Sequence, residues 1–167
     1  MTSVDGHDAS QIDPVVFRRA LGHFCSGIVV ITATDAGAPS GFTCQSFVSL
    51  SLDPPLVAFA PALTSRSYPA IRRAGVFCVN VLSDTQRAAA VAFARSDDSK
   101  WQGIGWKSTA SGSPVLDSVI AAIDCRIEQE IRTGDHFLVI GRVLSLETKP
   151  GAPLLYFKGD YASVHTA

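Results

Sequence analysis

Residues 41–55 read GFTCQSFVSLSLDPP, and this stretch decides the fold of the chain. Side chains along it alternate between two faces as far as Leu52, which predicts a single extended strand that Asp53-Pro54-Pro55 ends. One face is apolar apart from Ser46 and carries Phe42, Cys44, Val48, Leu50 and Leu52. The opposite face carries Thr43, Gln45, Phe47, Ser49 and Ser51. The two faces of the predicted strand therefore differ in chemistry.

Further strands are predicted on both sides of this stretch. The β-branched run within residues 27–34 is typical of a buried strand. Residues 122–132 alternate strictly, with Cys125 expected to face inward and Asp124 outward, and a turn at 133–135 leads to a partner strand. That partner strand is predicted at 136–146, and the remaining strands at 56–60, 76–82 and 154–161.

Two or three short helices are predicted as well. Asp13-Pro14 favours a helix start, because an aspartate caps free N–H groups and a proline fits the first turn. The apolar stripe of this helix would consist of Phe17, Ala20, Leu21 and Phe24. A second helix is predicted at residues 68–73 with Ser65 or Ser67 as its cap, and a third runs from the capping box at 83–86 to about residue 94.

Six or seven strands with a few short helices indicate a mainly β, α+β fold like a barrel. Long helices do not alternate regularly with strands, which argues against a Rossmann domain. Gly103-Ile104-Gly105 lacks the third glycine of a dinucleotide-binding motif. Residues 95–114 around it are expected to form a long polar loop that holds Trp101 and Trp106.

The composition limits the classes of function. The 167 residues suit one domain at 12–164, behind a disordered leader at 1–11 that lacks the features of a signal peptide. A net charge of −1 argues against nucleic-acid binding, and no apolar run is long enough to cross a membrane, so a cytoplasmic location is expected. Hydrophobic residues make up 47% and charged residues 17%, which favours an apolar surface covered by another subunit.

The four cysteines do not indicate a metal site or a thiol catalyst. They form no CxxC pair, and each lies among apolar neighbours. We therefore expect buried free thiols in a reducing compartment and no bound metal. The cysteines are Cys25, Cys44, Cys78 and Cys125.

The polar face of residues 41–52 is the first candidate binding site. Hydroxyls and an amide are costly to bury without partners, and a solvated face more often carries lysine and glutamate. Small uncharged groups suit a neutral heteroaromatic ligand such as a flavin ring, on which Phe47 could pack. The alternative interpretation is an ordinary edge strand rich in serine and threonine.

Two further features suit a nucleotide ligand. Thr64-Ser65-Arg66-Ser67 precedes a predicted helix, where free N–H groups, hydroxyls and a guanidinium would hold a phosphate. The alternative there is simple capping with Arg66 in solvent. His136 follows a hairpin turn and is expected at the mouth of the barrel beside a nicotinamide, unless it is an ordinary surface histidine. Hydride transfer between stacked rings needs no protein acid or base, so the lack of an obvious catalytic triad is consistent with a redox enzyme.

Seven segments of the chain form a characteristic series. They are Phe17-Arg18-Arg19-Ala20-Leu21-Gly22, Gly27-Ile28-Val29-Val30-Ile31-Thr32, residues 41–56, Phe77-Cys78-Val79-Asn80-Val81-Leu82, Gly134-Asp135-His136, Leu155-Tyr156-Phe157 and Gly159-Asp160-Tyr161. In this order and spacing, they resemble the short-chain flavin reductases of the FMN-binding split-barrel superfamily, the reductase components of two-component aromatic hydroxylases. The resemblance covers residues 17–161, nearly the whole chain.

The resemblance implies a six- to seven-stranded antiparallel split barrel that forms a homodimer, with a flavin at each barrel mouth. The residues implied to border the flavin ring and ribityl chain are Thr43, Cys44, Gln45, Ser46, Phe47, Ser49, Leu50 and Ser51. Those implied to hold the phosphate are Ser65, Arg66 and Ser67. Asn80 and Phe93 would lie near the flavin tail, and His136 would lie by the nicotinamide as the catalytic residue.

The expected function is NAD(P)H:flavin oxidoreductase activity, which reduces FMN or FAD by hydride transfer and supplies it to a partner oxygenase. No arginine cluster for a 2′-phosphate is obvious, which favours NADH over NADPH. The alternatives are a reductase that retains its flavin and reduces another acceptor, a flavin-binding electron carrier without enzymatic activity, and an interaction domain without cofactor. Many relatives have Asn-Ser-Phe where this chain has Gln45-Ser46-Phe47, and the Cys-Gln-Ser-Phe form resembles reductases of steroid-ring degradation in actinobacteria.

Overall fold

The computed structural model describes residues 12–164, apart from the side chain of Asp98, so the leader expected at 1–11 lies outside the described residues. Antiparallel strands make up nearly half of this part of the chain, and three α-helices lie between them. The elements in chain order are α1 (Pro14–Leu21), β1 (Ser26–Gly27), β2 (Val29–Asp35), β3 (Ala38–Cys44), β4 (Val48–Leu52), β5 (Pro55–Phe59), α2 (Tyr68–Ala74), β6 (Val76–Val81), a 3₁₀ turn (Asp84–Gln86), α3 (Arg87–Phe93), a second 3₁₀ turn (Asp98–Trp101), β7 (Trp106–Ser108), β8 (Pro114–Leu116), β9 (Ala121–Thr133), β10 (His136–Thr148), β11 (Leu155–Phe157) and β12 (Asp160–Ala162).

Seven strands form one antiparallel sheet in the order β3-β2-β6-β9-β10-β5-β4. Its edge strands β3 and β4 are joined by residues 45–47 alone, so Cys44 and Val48 lie at most about 14 Å apart. A flat sheet of seven strands is about 29 Å wide, so this sheet has to curl until its edges approach each other. The predicted antiparallel barrel is confirmed. The prediction of one unbroken strand over residues 41–52 is wrong, because the chain crosses there from one edge of the curled sheet to the other.

The curled sheet is buried on both faces around β2 and β6, as the β-branched sequence of β2 predicts. Successive residues of β2 enter two separate apolar clusters, with Ile31 in the first and Val30 in the second. The first cluster takes side chains from β2, β3, β5, β6, β9 and β10 and from α2, so it fills the interior of the barrel. The second lies on the outer face, where α3 and β8 pack on the sheet through residues such as Phe93 and Leu116.

Cys125 of β9 faces the barrel interior as predicted, but the outward face of the strand is not exposed near its start. Asp124, expected to face outward, is only 2% exposed. It lies beneath the loop at residues 109–113, where Ser111 Oγ and Ser111 N donate to its carboxylate at 2.6 and 3.2 Å. Two register shifts in the β9–β10 pair also break the regular alternation. A docked loop, which the local pattern does not reveal, therefore covers this part of the strand.

Three other expectations need correction. Residues 95–114, expected as a loop, contain the second 3₁₀ turn and β7, which pairs with β8. The last predicted strand, at 154–161, is divided by a turn into β11 and β12, which pair with each other. Cys25 is exposed, whereas the other three cysteines are buried free thiols as expected.

The helices begin where the sequence predicts. Asp13 Oδ1 accepts from Val15 N at 2.7 Å, and residues 83–86 form the predicted capping box ahead of α3. At α2 the capping hydroxyl is that of Ser65, which accepts from Tyr68 N at 3.2 Å. Within residues 12–164, no helix is long and apolar enough to cross a membrane.

Candidate functional site

A cleft of about 480 Å³ opens where the two edges of the curled sheet approach each other. Four segments line it: the end of β3 with the crossing at 45–47, the loop between β5 and α2, the end of α3, and the tip of the β9–β10 hairpin. These segments are distant in sequence, so the cleft exists only in the folded chain. The lining residues are Phe42, Thr43, Cys44, Gln45, Ser46, Ala60, Pro61, Ala62, Thr64, Ser65, Arg66, Ser67, Phe93, Ala94, Arg95, Ser96 and His136.

The end of β3 and the crossing form one wall of the cleft. Thr43 Oγ1 donates to Ala90 O at 2.6 Å, which ties the end of β3 to α3. Ser46 Oγ accepts from Ala60 N at 3.0 Å and is 3.1 Å from Ala60 O, to which it donates, so one hydroxyl fastens the crossing to the end of β5. Gln45 is exposed and makes no hydrogen bond with the described residues. Its amide is therefore available to a ligand, whereas Thr43 and Ser46 shape the wall.

The Cys44 thiol lines the same wall. Burial raises the pKa of this thiol, although a hydrogen bond with Ser46 opposes the shift. A raised pKa keeps the thiol protonated at neutral pH, and a protonated thiol is a poor nucleophile. Cys44 therefore contributes shape and not covalent chemistry.

A second wall consists of residues 64–67, directly ahead of α2. The hydroxyl of Ser65 accepts from the helix, and Ser67 Oγ accepts from Lys100 Nζ at 3.0 Å. Each hydroxyl keeps its own proton for a further acceptor. Arg66 is exposed and makes no ion pair with any described residue. This wall therefore offers a guanidinium and two hydroxyl donors, which together suit an oxyanion such as phosphate.

His136 reaches the cleft from the tip of the β9–β10 hairpin. Two backbone hydrogen bonds hold this tip, from Phe137 N to Pro61 O and from Leu63 N to Asp135 O, both 2.9 Å. The imidazole is 43% exposed, and its Nδ1 lies 2.7 Å from Asp135 Oδ1. This hydrogen bond lowers the pKa of the Asp135 carboxyl. Because Nδ1 is engaged there, Nε2 is the ring nitrogen that can meet a ligand.

A third wall consists of residues 93–96 at the end of α3, and only Phe93 among them is a predicted site residue. Phe93 is expected near the ligand and does line the cleft, 1% exposed, with its ring edge-on to that of Trp101 at a centroid distance of 4.8 Å. Arg95 and Ser96 line the cleft beside it and are not among the predicted site residues. The one sequence signal for them is that the dipeptide Arg-Ser at 66–67 occurs again here, each time next to a helix end.

The charge of the cleft is positive. Arg66 and Arg95 line it, and its lining residues in the described part of the chain include no carboxylate. Apolar groups such as Phe42 and Pro61 make up much of the remaining surface. The cleft therefore suits a flat, partly apolar ligand that carries an anionic group. No cluster of three or more metal-ligating side chains occurs among residues 12–164.

Comparison with known proteins assigns this architecture to a family. The flavin reductase like domain matches residues 21–165. This chain belongs to that family. It is 48% identical over 157 residues to the reductase subunit HsaB of a flavin-dependent monooxygenase from Rhodococcus jostii. This match covers 93% of this chain and 80% of the relative. The family recognised from the sequence segments is thereby confirmed.

Solved structures of other flavin reductase family members have the same fold. Nitrilotriacetate monooxygenase component B from Mycobacterium thermoresistibile matches with a TM-score of 0.89 at 43% identity, over 94% of this chain and 89% of that one. The NADH:FAD oxidoreductase SgcE6 of Streptomyces globisporus has been solved in complex with NAD and FAD fragments. It matches with a TM-score of 0.87 at 29% identity, over 94% of this chain and 98% of that one. The expected split-barrel fold is thereby confirmed.

The cleft of this flavin reductase family member brings together most of the expected site residues, but not all. Those that line it are Thr43, Cys44, Gln45, Ser46, Ser65, Arg66, Ser67, Phe93 and His136. Those that do not line it are Phe47, Ser49, Leu50, Ser51 and Asn80. The cleft therefore ends within the crossing at 45–47.

The five residues outside the cleft have other surroundings in the described chain. Phe47 packs against the interior apolar cluster. Residues 49–51 lie on the edge strand β4, because the crossing has carried the chain to the far edge of the sheet. Asn80 is completely buried, and its amide is bonded to β2 and β8. Alternation along the sequence cannot reveal the crossing between the sheet edges that separates residues 49–51 from this cleft. That these five residues border a flavin, as the resemblance implies, stays a prediction.

Proposed function

We propose that this chain is an NAD(P)H-dependent flavin reductase that reduces FMN or FAD and releases it to a separate oxygenase. The observation that most supports this proposal is the 480 Å³ cleft. It is lined by the exposed amide of Gln45, by the wall at residues 64–67 that suits a phosphate, and by His136. Its volume is within the range of about 300–1,000 Å³ that is usual for small-molecule sites. Membership of the flavin reductase family and the names of the relatives agree with this reaction.

The side chains of the cleft fit a flavin in chemistry. Phe42 and Pro61 provide apolar surface against which a flat ring can pack. The Gln45 amide supplies both a donor and an acceptor for the polar edge of the ring. Arg66, with the serines on either side of it, supplies the donors that a phosphate needs. The choice between FMN and FAD is not decided by these groups, because both flavins share the ring and the first phosphate.

The task of the protein in this reaction is positioning. A bound flavin supplies the ring that accepts the hydride. Transfer requires the two rings to stack at about 3–3.5 Å with water excluded, and it requires no protein acid or base. His136 is proposed to contact the nicotinamide, since it lines the cleft from a hairpin tip that backbone hydrogen bonds hold in place. Similarity to an NADH:FAD oxidoreductase supports NADH as the hydride donor.

The proposed partner is a flavin-dependent oxygenase component that uses the reduced flavin with O₂ and receives it by diffusion. The 48% identity to a reductase subunit of a flavin-dependent monooxygenase supports such a two-component system. This similarity and the Cys-Gln-Ser-Phe segment at 44–47 also support the narrower assignment to hydroxylases of steroid-ring degradation. We propose that the enzyme acts in the cytoplasm.

We also propose that the enzyme is a homodimer. The apolar stripe of α1 is not covered within the described chain, where Phe17 is 52% and Leu21 57% exposed. The edge strand β4 exposes Val48, Leu50 and Leu52 by 52%, 50% and 90%. An uncovered apolar edge strand invites aggregation in a monomer and suits a subunit interface. Light scattering of the purified protein is expected to give twice the mass of the chain, and a stable monomer would contradict the proposal.

The reaction is tested by steady-state NADH oxidation, followed by absorbance while FMN, FAD and riboflavin are titrated separately. We expect turnover that depends on added flavin and a KM for riboflavin about tenfold above that for FMN, because riboflavin lacks the phosphate. Flavin added to the protein should also raise its melting temperature. Replacing NADH by NADPH is expected to raise the KM for the nicotinamide.

The rival functions give different results in the same experiment. A reductase that retains its flavin keeps a yellow colour through gel filtration and oxidises NADH without added flavin. A flavin-binding carrier is yellow and does not oxidise NADH. A colourless protein whose melting temperature no flavin changes would exclude a flavin site altogether.

A further inference from the structure

Lys100 is a buried cation behind the phosphate-binding wall of the cleft. It belongs to the 3₁₀ turn Asp98–Trp101 that follows α3, and only 5% of the residue is exposed. Its Nζ donates to Gly41 O at 3.1 Å and to Ser67 Oγ at 3.0 Å. Lysine is almost never so deeply buried unless specific partners hold its charge, so this position requires a physical reason.

A small cavity of about 70 Å³ adjoins the cleft at this point. It shares Arg66, Ser67 and Ser96 with the cleft, and its lining also includes Lys100 and Ser40. Two cations and three serine hydroxyls therefore surround it, and the lining residues that the structure describes include no carboxylate. The anion-binding character of the cleft extends inward as far as Lys100.

Lys100 determines the direction of the Ser67 hydroxyl. An ammonium group only donates, so Ser67 Oγ must accept from it and must direct its own proton elsewhere. Because Ser67 also lines the cleft, that proton is available to an acceptor bound there. The backbone of Ser67 is held as well, since its carbonyl accepts from Ser40 Oγ at 3.2 Å.

Close packing at Gly41 brings the other partner of Lys100 within reach. A Cβ at this position would lie 3.0 Å from Ile31 O and 3.1 Å from Phe93 Cε1, so only glycine fits without a shift. β3 and the end of α3 are therefore in direct contact. The 3₁₀ turn after α3 then lies close enough for Lys100 Nζ to bond both Gly41 O and Ser67 Oγ.

We propose that Lys100 is a positioning residue that orients the Ser67 hydroxyl toward the phosphate of a bound flavin. The proposal rests on the proposed flavin reductase function and adds a residue that the sequence motifs do not assign. Lys100 lies behind Ser67 and is not among the residues that line the cleft. Its removal therefore weakens the binding of FMN, which has a phosphate, more than that of riboflavin, which has none.

The test compares the dissociation constants of FMN and riboflavin, measured by quenching of flavin fluorescence. Lys100→Met is expected to raise the dissociation constant of FMN about tenfold, as for the loss of one hydrogen bond that a charged group supports, and that of riboflavin less than about twofold. In a Ser67→Ala background, Lys100→Met is expected to have little further effect on FMN, because both substitutions remove the same contact. The matched control is Lys107→Met, which removes an exposed lysine bonded to Glu147 at 3.2 Å and is expected to change neither constant.

Two results would overturn the proposal. Equal losses for FMN and riboflavin would mean that Lys100 only supports the fold, and full additivity with Ser67→Ala would mean that it does not act through that hydroxyl. Should Lys100→Met fail to fold, Lys100→Arg keeps a displaced cation and is expected to show a smaller loss confined to FMN. An unchanged ratio of the two constants in Lys100→Arg would then overturn the proposal. Failure of the proposed function is distinguishable, since the wild-type protein would bind neither flavin, or would bind riboflavin as tightly as FMN.

Discussion

Gln45 and Arg66 face an open cleft, whereas Asn80, a polar residue of the central strand β6, is completely buried. The amide of Gln45 has no partner among the described residues. The amide of Asn80 is fully used: Nδ2 donates to Thr32 Oγ1 at 3.0 Å, and Oδ1 accepts from Leu116 N at 2.8 Å. Two amides that look alike in the sequence therefore differ in what they can still bind.

The difference is caused by what covers each strand. β8 and the loop before it lie over β2 and β6. Asn80 and Thr32 make the hydrogen bonds that connect these two layers. Gln45 is left uncovered by residues 12–164, because it lies in the crossing between the sheet edges. Every buried polar side-chain atom in the described chain has a hydrogen-bond partner. Polar groups available to a ligand are thus confined to the opening of the barrel, and substitutions can test this contrast.

The largest effect is expected for Asn80→Ala. It leaves Leu116 N without a buried partner and removes the donor to Thr32 Oγ1, which should lower the free energy of unfolding by about 3 kcal/mol. Denaturant unfolding measures this loss, and the flavin dissociation constant of the folded variant should stay unchanged. Gln129→Ala, which removes an exposed amide, is the control and should cost under about 0.5 kcal/mol. A stable variant with weakened flavin binding would instead place Asn80 at the flavin tail, as the family resemblance implies.

Arg66→Ala tests a polar residue that faces the open cleft. Arg66 is exposed and makes no hydrogen bond or ion pair with any described residue, so the melting temperature should not change. The dissociation constant of FMN should rise about tenfold with the loss of a charge-assisted contact, and that of riboflavin should not. Arg126→Ala, at an exposed position on β9, serves as the control. A lower melting temperature with unaltered FMN affinity would mean that Arg66 has a structural role after all.

His136→Ala is expected to act on the nicotinamide and not on the flavin. The KM for NADH should rise about fivefold with the loss of one contact, while the flavin dissociation constant stays within about twofold. In the same variant the pKa of Asp135 should rise toward its ordinary value, because the hydrogen bond with His136, which lowers it most, is gone. An NMR titration of the carboxyl measures this change. Equal losses of flavin and NADH binding would remove the proposed role of His136.

Ser51→Ala should have the smallest effect. Ser51 lies on β4, beyond the crossing and outside the lining of the cleft. The flavin dissociation constant should therefore change less than about twofold. A larger change, with no loss of stability, would show that the flavin site extends along β4 and that the cleft of one chain is only part of it.

Sequence reasoning succeeds wherever neighbouring residues decide the structure. The cap at Asp13, the capping box at residues 83–86 and the buried strand β2 are all found as predicted, because each depends on contacts within a few residues. It fails at the crossing and at Asp124. The crossing depends on how far the whole sheet curls, and the burial of Asp124 depends on a loop that docks from residues 109–113.

The sequence alone determined the strands, the helix starts and the family. Hydrophobic periodicity, capping residues and the order of motifs are properties of the sequence that can be recognised without the tertiary structure. Only the tertiary structure decided which polar residues remain available to a ligand. Curling of the sheet brings residues 43–46, 64–67, 93–96 and 136 around one opening, and it buries Asn80 beneath β8. A hydrogen-bonding group can bind a ligand only where no part of the protein has already satisfied it, and that depends on contacts between distant segments.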